Sequence, residues 1–260
     1  MRKLTELFNL EGKKAVVTGG LGHLGLASTE ALLEFGASVI VTGIQEEIQK
    51  EETREKLERL TGEFSKQKVR MKVLDFRSDG SIRNFFREVE LEFQGLDILI
   101  NNAMYGNSED FDDGMRGTLS CVHQCCEAAF PLMERQKKGV IINIASIYGL
   151  VAPDMRTYEE FPQWKSPLNY GTAKAGVIQL TRYLASAWAP YGIRVNAVSP
   201  GPFSHPGRPE EFLKRLREKT MLNRIGTPEE LKGMIALLAS DASSYITGQN
   251  FLVDGGWTAW

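Results

Sequence analysis

Residues 18–25 read Thr-Gly-Gly-Leu-Gly-His-Leu-Gly, between an apolar run at Ala15–Val17 and a segment of helical period at Leu24–Phe35. A strand that turns through glycines into a helix allows backbone amides at the helix N-terminus to approach a pyrophosphate. The placement matters more than the glycine content, because these glycines open a strand-turn-helix unit. The segment predicts a dinucleotide-binding fold.

The alternation of strand and helix continues along the chain. Six more β-rich apolar runs follow, at Ser38–Thr42, Val69–Leu74, Asp97–Asn101, Val140–Ala145, Arg194–Val198 and Asn250–Val253. Helical periodicity covers about Glu46–Leu60, Ile82–Phe93, Met115–Gln136, Asn169–Trp188, Pro209–Lys219 and Pro228–Ala239. Helical crossovers and near-continuous apolar strands favour a parallel sheet buried on both faces. We predict an α/β, doubly wound (Rossmann) three-layer sandwich with a mostly parallel seven-stranded sheet, in a single domain over residues 1–260.

Composition excludes several classes of partner. The chain has 31 basic and 33 acidic residues, and its net charge of −2 provides no field to hold a nucleic-acid backbone. No stretch approaches the roughly 18 uninterrupted apolar residues of a membrane span. Cys121, Cys125 and Cys126 are too close in sequence for a secreted disulfide framework, and His123 points away from the helix face that Cys121 and Cys125 share. We expect a cytoplasmic protein with no metal site and no membrane or nucleic-acid partner.

Two further motifs accompany the glycine turn. Asn101-Asn102-Ala103 ends the fourth predicted strand, and Tyr170 and Lys174 share one helix face. A neighbouring ammonium lowers the pKa of a phenol from about 10. Together these motifs resemble the short-chain dehydrogenase/reductase family, in its shorter single-domain branch. The resemblance implies an NAD(P)-dependent oxidoreductase that interconverts a secondary alcohol and a ketone, with Tyr170 moving the proton, Lys174 lowering the tyrosine pKa and Ser146 orienting the substrate oxygen.

The resemblance also implies a set of cofactor-binding residues. These are Gly19, Leu21, Gly22, His23, Leu24, Gly25, Gly43, Asp75, Phe76, Asn102, Ala103, Lys174, Pro200 and Gly201. Among them, Asp75 matches the aspartate that meets the adenine. Gly43 ends the second predicted strand, where an acidic residue would select NAD. Because no carboxylate stands there, we predict a slight preference for NADP(H) over NAD(H).

Two segments lie where substrate is expected. An insertion at about residues 150–168 carries aromatic and proline residues, and a Pro- and Gly-rich loop covers about residues 200–222. Loops of this length in compact domains are uncommon unless they are functional. The candidate substrate contacts are Met104, Tyr148, Trp164, Phe203 and His205. Similar insertions and C-termini occur in relatives linked to surface-glycan and flagellin glycosylation, a resemblance that points to a sugar or nucleotide-sugar substrate.

Two alternatives stay open at this level. The TGxxGxxG spacing and the wide Ser146–Tyr170 separation are also found in sugar-nucleotide epimerases and dehydratases that retain NAD, although the short C-terminal segment argues against their large substrate domain. Departures from the family pattern at His23, Met104 and Thr118, the last in place of a relay asparagine, would suit a non-catalytic cofactor-binding regulator.

Family relatives usually assemble through two long helices. The corresponding segments here are Met115–Gln136 and Asn169–Trp188. The resemblance therefore implies a homodimer or homotetramer acting on a small-molecule substrate.

Overall fold

The computed structural model describes residues 1–66, 68–78, 80–106 and 110–260. Seven strands form one sheet: β1 (Lys14–Val17), β2 (Ser38–Gly43), β3 (Val69–Val73), β4 (Ile98–Asn101), β5 (Gly139–Ile144), β6 (Ile193–Pro200) and β7 (Asn250–Val253). Their order is β3-β2-β1-β4-β5-β6-β7, and all neighbouring strands are parallel. The order reverses between β1 and β4, so a ligand crevice is expected at the carboxyl ends of these strands.

Helices cover both faces of the sheet. They are α1 (Leu4–Leu7), α2 (His23–Glu34), α3 (Gln45–Ile48), α4 (Glu51–Phe64), α5 (Ser81–Phe93), α6 (Phe111–Met115), α7 (Cys121–Gln136), α8 (Leu168–Trp188), α9 (Glu210–Arg217) and α10 (Lys232–Ala239). The core on one face joins α5, α7 and α8 through side chains such as Phe86 and Met133. The core on the other face joins α2, α4 and α10, with Leu32 and Leu60 fully buried. The predicted doubly wound α/β fold is confirmed, and its sheet is wholly parallel.

Three predicted helices differ in detail. The helix expected at Glu46–Leu60 breaks at Lys50, whose backbone is extended at φ −65° and ψ 139°. The helix expected from Met115 begins earlier, as α6, and passes through a π-helical turn at Arg116–Ser120 before α7. Thr118, which replaces the expected relay asparagine, is buried inside that turn. A hydrophobic period does not reveal a single extra residue in a helix.

The third difference is at the C-terminal helix. Pro228–Leu231 form a 3₁₀ turn, and α10 begins only after it. In the parts of the chain that the structure describes, no helix combines the length and apolarity needed to cross a bilayer.

Candidate active site

The glycine turn lies at the carboxyl end of β1. α2 begins at His23 with Gly22 as its N-cap residue, and no side chain caps it. The first amides of an uncapped helix are available to an anion. Gly25 is packed so tightly that a Cβ would lie 2.0 Å from the carbonyl oxygen of Gly19, which itself has a φ of +61°. This compact turn fits the phosphates of a dinucleotide.

Hydrogen bonds connect the end of β4 to the same turn. The hydroxyl of Thr18 accepts hydrogen bonds from the backbone N–H of Asn102 at 2.9 Å and of Ala103 at 3.0 Å. The Nδ2 of Asn102 donates to the carbonyl oxygens of Thr18 at 3.0 Å and Gly19 at 3.2 Å. The Asn102 side chain therefore holds the shape of the turn.

Three candidate catalytic residues line one cavity beside the turn. Ser146 directly follows β5, is buried, and accepts a hydrogen bond at its hydroxyl from the Tyr148 N–H at 3.2 Å. Tyr170 and Lys174 stand one turn apart near the start of α8. The Nζ of Lys174 donates to the carbonyl oxygen of Ile144 at 2.7 Å. The carboxyl end of β5 and the start of α8 thus bring the three side chains together.

Burial governs the ionisation of Tyr170 and Lys174. It raises the pKa of Tyr170, with a hydrogen bond to Ser146 acting in the opposite direction. It lowers the pKa of Lys174 to about 8. In the free protein desolvation outweighs any lowering of the Tyr170 pKa by Lys174, whose ammonium donates to Ile144. The Tyr170 hydroxyl is consequently protonated at neutral pH.

The main cavity has a volume of about 1190 Å³, and a second cavity of about 460 Å³ adjoins it. Four of the predicted cofactor or substrate residues line both: Gly19, Gly43, Ala103 and Met104. Asp75 and Phe76 line only the smaller cavity. Together the cavities follow the sheet edge from the end of β3 to the candidate catalytic residues.

Asp75 is engaged within the protein. Arg77 donates to its carboxylate through Nε at 2.9 Å and Nη2 at 2.8 Å. The hydrogen bond from Arg77 lowers the pKa of Asp75, so the carboxylate is ionised at neutral pH. The backbone N–H of Arg77 donates to it as well, at 2.9 Å. The site that resemblance assigns to adenine is thus formed by an ion pair rather than by an isolated aspartate.

The end of β2 carries no acidic side chain of its own, because Gly43 occupies that position. Lys56 from α4 reaches the same cavity, where its Nζ donates to the carbonyl oxygen of Leu21 at 3.4 Å and to Glu52 at 2.6 Å. A cation that is paired with Glu52 therefore lies beside the glycine turn.

His23 links the turn to the loop after β6. Its ring centroid lies 5.1 Å from that of His205. Burial, followed by the neighbouring charge of His205, lowers the pKa of His23, so its ring is neutral at pH 7. Its Nε2 is buried and has no hydrogen-bond partner within the described part of the chain.

The two predicted insertions form one wall of the main cavity. Tyr158 and Phe161 of the first insertion are buried against Phe212 and Leu216 of α9. The ring of Trp164 stacks on that of Phe212, with centroids 6.3 Å apart and an interplanar angle of 17°. We call this set the aromatic wall: Tyr158, Phe161, Trp164, Phe212 and Leu216.

Ion pairs on the outer side also link the two predicted insertions. Lys219 pairs with Asp154 at 2.6 Å, and Arg215 pairs with Glu160 at 2.5 Å. The segment around residues 200–222 contains α9, which lies within the helix predicted at Pro209–Lys219, and is packed against the first insertion.

Comparisons with known proteins agree with this geometry. A family model described as enoyl-(acyl carrier protein) reductase matches residues 22–258. A short-chain type dehydrogenase/reductase from Mycobacterium marinum is 29% identical and superposes with a TM-score of 0.84 over 100% of both chains. The chain belongs to the short-chain dehydrogenase/reductase family. Members of this family are NAD(P)-dependent oxidoreductases, and so is this enzyme.

Two other members of the family have named polyol or sugar-acid activities. The NADP-dependent mannitol dehydrogenase of Hypocrea jecorina is 32% identical over 98% of this chain and 96% of its own. The gluconate 5-dehydrogenase of Burkholderia cenocepacia J2315, solved with NADP and tartrate, is 28% identical, with a TM-score of 0.84 over 99% of this chain and 100% of its own. The resemblance to enzymes of glycan and flagellin glycosylation receives no support from these relatives.

Most of the residues expected for a short-chain dehydrogenase/reductase site line the two cavities. In the main cavity these are Gly19, Leu21, Gly22, His23, Leu24, Gly43, Asn102, Ala103, Met104, Ser146, Tyr148, Trp164, Tyr170, Lys174, Pro200, Gly201, Phe203 and His205. Gly25 lies behind the turn instead of lining a cavity, because its missing side chain leaves space for the Gly19 carbonyl.

Several residues that line the main cavity were not among the predicted site residues. They include Lys56, Arg208, Phe212 and Trp257. None belongs to a motif, and each comes from a different element that only tertiary packing brings to the site.

Proposed function

We propose that this enzyme interconverts a secondary alcohol and a ketone on a polyhydroxylated substrate, a sugar or sugar derivative, and that it prefers NADP(H) to NAD(H). The observation that carries the proposal is the convergence of Ser146, Tyr170 and Lys174 in a cavity bordered by the uncapped N-terminus of α2. A protonated phenol, a hydroxyl and an ammonium beside a dinucleotide site suit proton transfer coupled to hydride transfer.

The three side chains have separate roles in this proposal. In reduction, the protonated Tyr170 hydroxyl donates its proton to the substrate carbonyl oxygen, and in oxidation it receives the proton of the alcohol. Ser146 is hydrogen-bonded to Tyr170 and can also donate to the substrate oxygen, which holds that oxygen beside the phenol. When bound, the nicotinamide supplies or accepts the hydride. Lys174 places a titratable positive charge under the site, held by the Ile144 carbonyl.

The preference for NADP(H) rests on charge at the end of β2. Gly43 offers no carboxylate of its own to repel a 2′-phosphate, and Lys50 and Lys56 line the cavity there together with Glu47 and Glu52. The mannitol and gluconate enzymes are named or solved with NADP. These observations favour a phosphate-bearing cofactor.

The proposed substrate class follows from the relatives and from the chemistry of the wall. The relatives named for mannitol and gluconate act on polyhydroxylated compounds, as their names state. The cavity carries the hydroxyls of Tyr148 and Tyr158, which hydrogen-bond to each other, close to Ser146. Such hydroxyls can exchange their mutual bond for bonds to substrate hydroxyls.

The proposal is tested by turnover of a substrate panel with NADPH and NADH. We expect absorbance changes at 340 nm with sugars, alditols, sugar acids or their keto forms, and higher kcat/KM with NADPH. A nucleotide-sugar arm is included. Cofactor retained through purification, with product formed but no net redox change, would favour the epimerase alternative. Cofactor binding without turnover of any panel member would contradict the proposal.

We further propose a cytoplasmic homo-oligomer. The three cysteines are buried free thiols, which suits a reducing compartment. α7 and α8 lie side by side on one face of the sheet, where family members usually assemble. Light scattering coupled to gel filtration should give two or four times the monomer mass of 29.0 kDa. A mass equal to the monomer would contradict this assignment.

A further inference from the structure

Arg208 lines the main cavity and has no ion pair with a carboxylate among the residues that the structure describes. It lies between the end of β6 and the start of α9, and its Cζ stands 5.6 Å from the ring centroid of Trp164. Its Nη1 donates to the carbonyl oxygen of Phe203 at a long 3.4 Å. Its Nε is buried and, in the described ranges, has no hydrogen-bond partner. Most of the five donors of this guanidinium therefore lack a hydrogen-bond partner among the described residues.

Neighbouring arginines behave differently. Arg215, Arg217 and Arg224 each pair with a glutamate at 2.5–2.6 Å. No such pair involves Arg208 within the residues that the structure describes, where the titratable groups that act on its pKa are the hydroxyls of Tyr158 and Tyr148. Arg208 therefore differs from these three arginines, because it lines the cavity without a carboxylate partner among the described residues.

The lack of a counterion for Arg208 costs free energy of folding. Burial lowers the pKa of Arg208, yet a guanidinium stays charged at neutral pH. A partly buried charge without a counterion destabilises the free protein, and an entering anion removes that cost. The guanidinium lies over the ring of Trp164, and a planar guanidinium can bind a carboxylate through two parallel hydrogen bonds.

We propose that Arg208 binds a carboxylate of the substrate, so that the natural substrate is an anionic hydroxy acid or keto acid of the sugar-acid type. The assignment of the anion as the substrate rests on the proposed function, whereas the presence of an anion site at Arg208 does not. Arg208 lies beside Trp164 of the aromatic wall and lines the same cavity as Ser146 and Tyr170. The same charge acts on His23 in the glycine turn, so a cofactor phosphate is the competing source of the anion.

Binding is measured first, because it does not require turnover. D-gluconate and the uncharged D-mannitol are titrated by calorimetry into the wild type, Arg208→Gln, Arg208→Lys and Arg215→Gln. Arg215 is the matched control, since it also stacks on an aromatic ring, Phe161 at 5.3 Å, but does not line the cavity. Thermal unfolding of each variant verifies that it folds.

We expect Arg208→Gln to weaken D-gluconate binding by about 10- to 100-fold, the usual loss for a charged hydrogen bond. Arg208→Lys should lose part of this affinity, because an ammonium lacks the bidentate fork. D-mannitol should bind equally to all four proteins, and Arg215→Gln should match the wild type. Failure of D-gluconate to bind the wild type, or equal binding to Arg208→Gln, would overturn the proposal.

Two further experiments distinguish a substrate carboxylate from a cofactor phosphate as the anion that Arg208 binds. NADPH is titrated by fluorescence into the same proteins, and a loss of NADPH affinity equal to the loss for D-gluconate would assign Arg208 to the cofactor phosphates and overturn the proposal. In turnover, the ratio of kcat/KM for D-gluconate to that for D-mannitol should fall at least about 10-fold in Arg208→Gln. Arg208-dependent D-gluconate binding without any turnover would refute the proposed reaction and leave the anion site standing.

Discussion

The Nζ of Lys174 lies 5.7 Å from the centroid of the Tyr170 ring and donates its hydrogen bond to the Ile144 carbonyl. Both side chains are shifted toward their uncharged forms by burial. The pair is thus held close enough to act on one substrate atom while each member is desolvated. Such an arrangement costs stability in the free protein, a common property of catalytic sites.

Lys174→Met should stabilise the protein at neutral pH. With a folded-state pKa of about 8 against roughly 10.4 in the unfolded chain, the buried ammonium destabilises the fold by about 3 kcal/mol at pH 7. Loss of the hydrogen bond to Ile144 offsets about 1 kcal/mol. Urea unfolding at pH 7 should therefore give a net gain of about 2 kcal/mol, with turnover abolished.

The pH dependence of this gain has a defined sign. Between the folded and unfolded pKa values the unfolded chain binds more protons at Lys174, so wild-type stability rises with pH. The advantage of Lys174→Met should be complete below pH 8 and should shrink as the pH approaches roughly 10.4. A variant that is less stable than the wild type at pH 7 would contradict the burial argument.

Tyr170→Phe should remove proton transfer while leaving the fold intact. We expect turnover to fall by about 100- to 10,000-fold, the usual effect of losing a general acid. Cofactor dissociation constants, measured by NADPH fluorescence, should change by less than about twofold, since the hydroxyl is lost without altering the glycine turn. Tyr183→Phe, on the same helix but 71% exposed, is the matched control. Near-normal turnover by Tyr170→Phe would refute its role.

Gly25→Ala should disrupt the turn although alanine favours a helix. Its Cβ would lie 2.0 Å from the Gly19 oxygen, a contact that forces the backbone to move. We expect a loss of about 1–3 kcal/mol in unfolding free energy, typical of overpacking, and NADPH binding at least about 10-fold weaker. Gly62→Ala, in the interior of α4 with no atom within 4 Å of its Cβ, should instead gain about 0.5–1 kcal/mol. Equal effects of the two substitutions would contradict the packing argument.

Lys56→Gln tests the proposed cofactor preference. Removing this ammonium from the cavity should weaken NADPH binding by about 2- to 5-fold, as expected for a solvent-screened ion pair. NADH binding should not change, because it lacks the 2′-phosphate. Arg54→Gln removes a charge from the exposed side of the same helix and serves as the control. A similar loss for both cofactors would show that Lys56 acts on the turn, through its bond to Leu21.

The fold class could be predicted because its signals are local. Short apolar runs, helical periods and the glycines at residues 18–25 each depend on a few neighbouring residues. The π-helical turn at Arg116–Ser120 and the break at Lys50 could not be predicted in this way, since neither changes the side-chain pattern appreciably. Both are decided by how the helices pack on the sheet.

The residues of the candidate site could be predicted where they belong to a sequence motif. Ser146, Tyr170 and Lys174 follow from their positions at the end of a strand and on one helix face. The role of Gly25 as packing space, and the presence of Arg208 and Lys56 in the cavity, depend on contacts between distant elements that leave no pattern in the sequence.

The sequence alone determines the order of strands and helices, the dinucleotide turn and the spacing of Tyr170 and Lys174. It can do so because backbone conformation and side-chain period act over short distances. The sequence does not determine the direction of the pKa shift at Tyr170 or the unpaired charge of Arg208. Desolvation and charge pairing depend on which atoms surround a group in three dimensions, and only the packed sheet, its helices and the aromatic wall establish those surroundings.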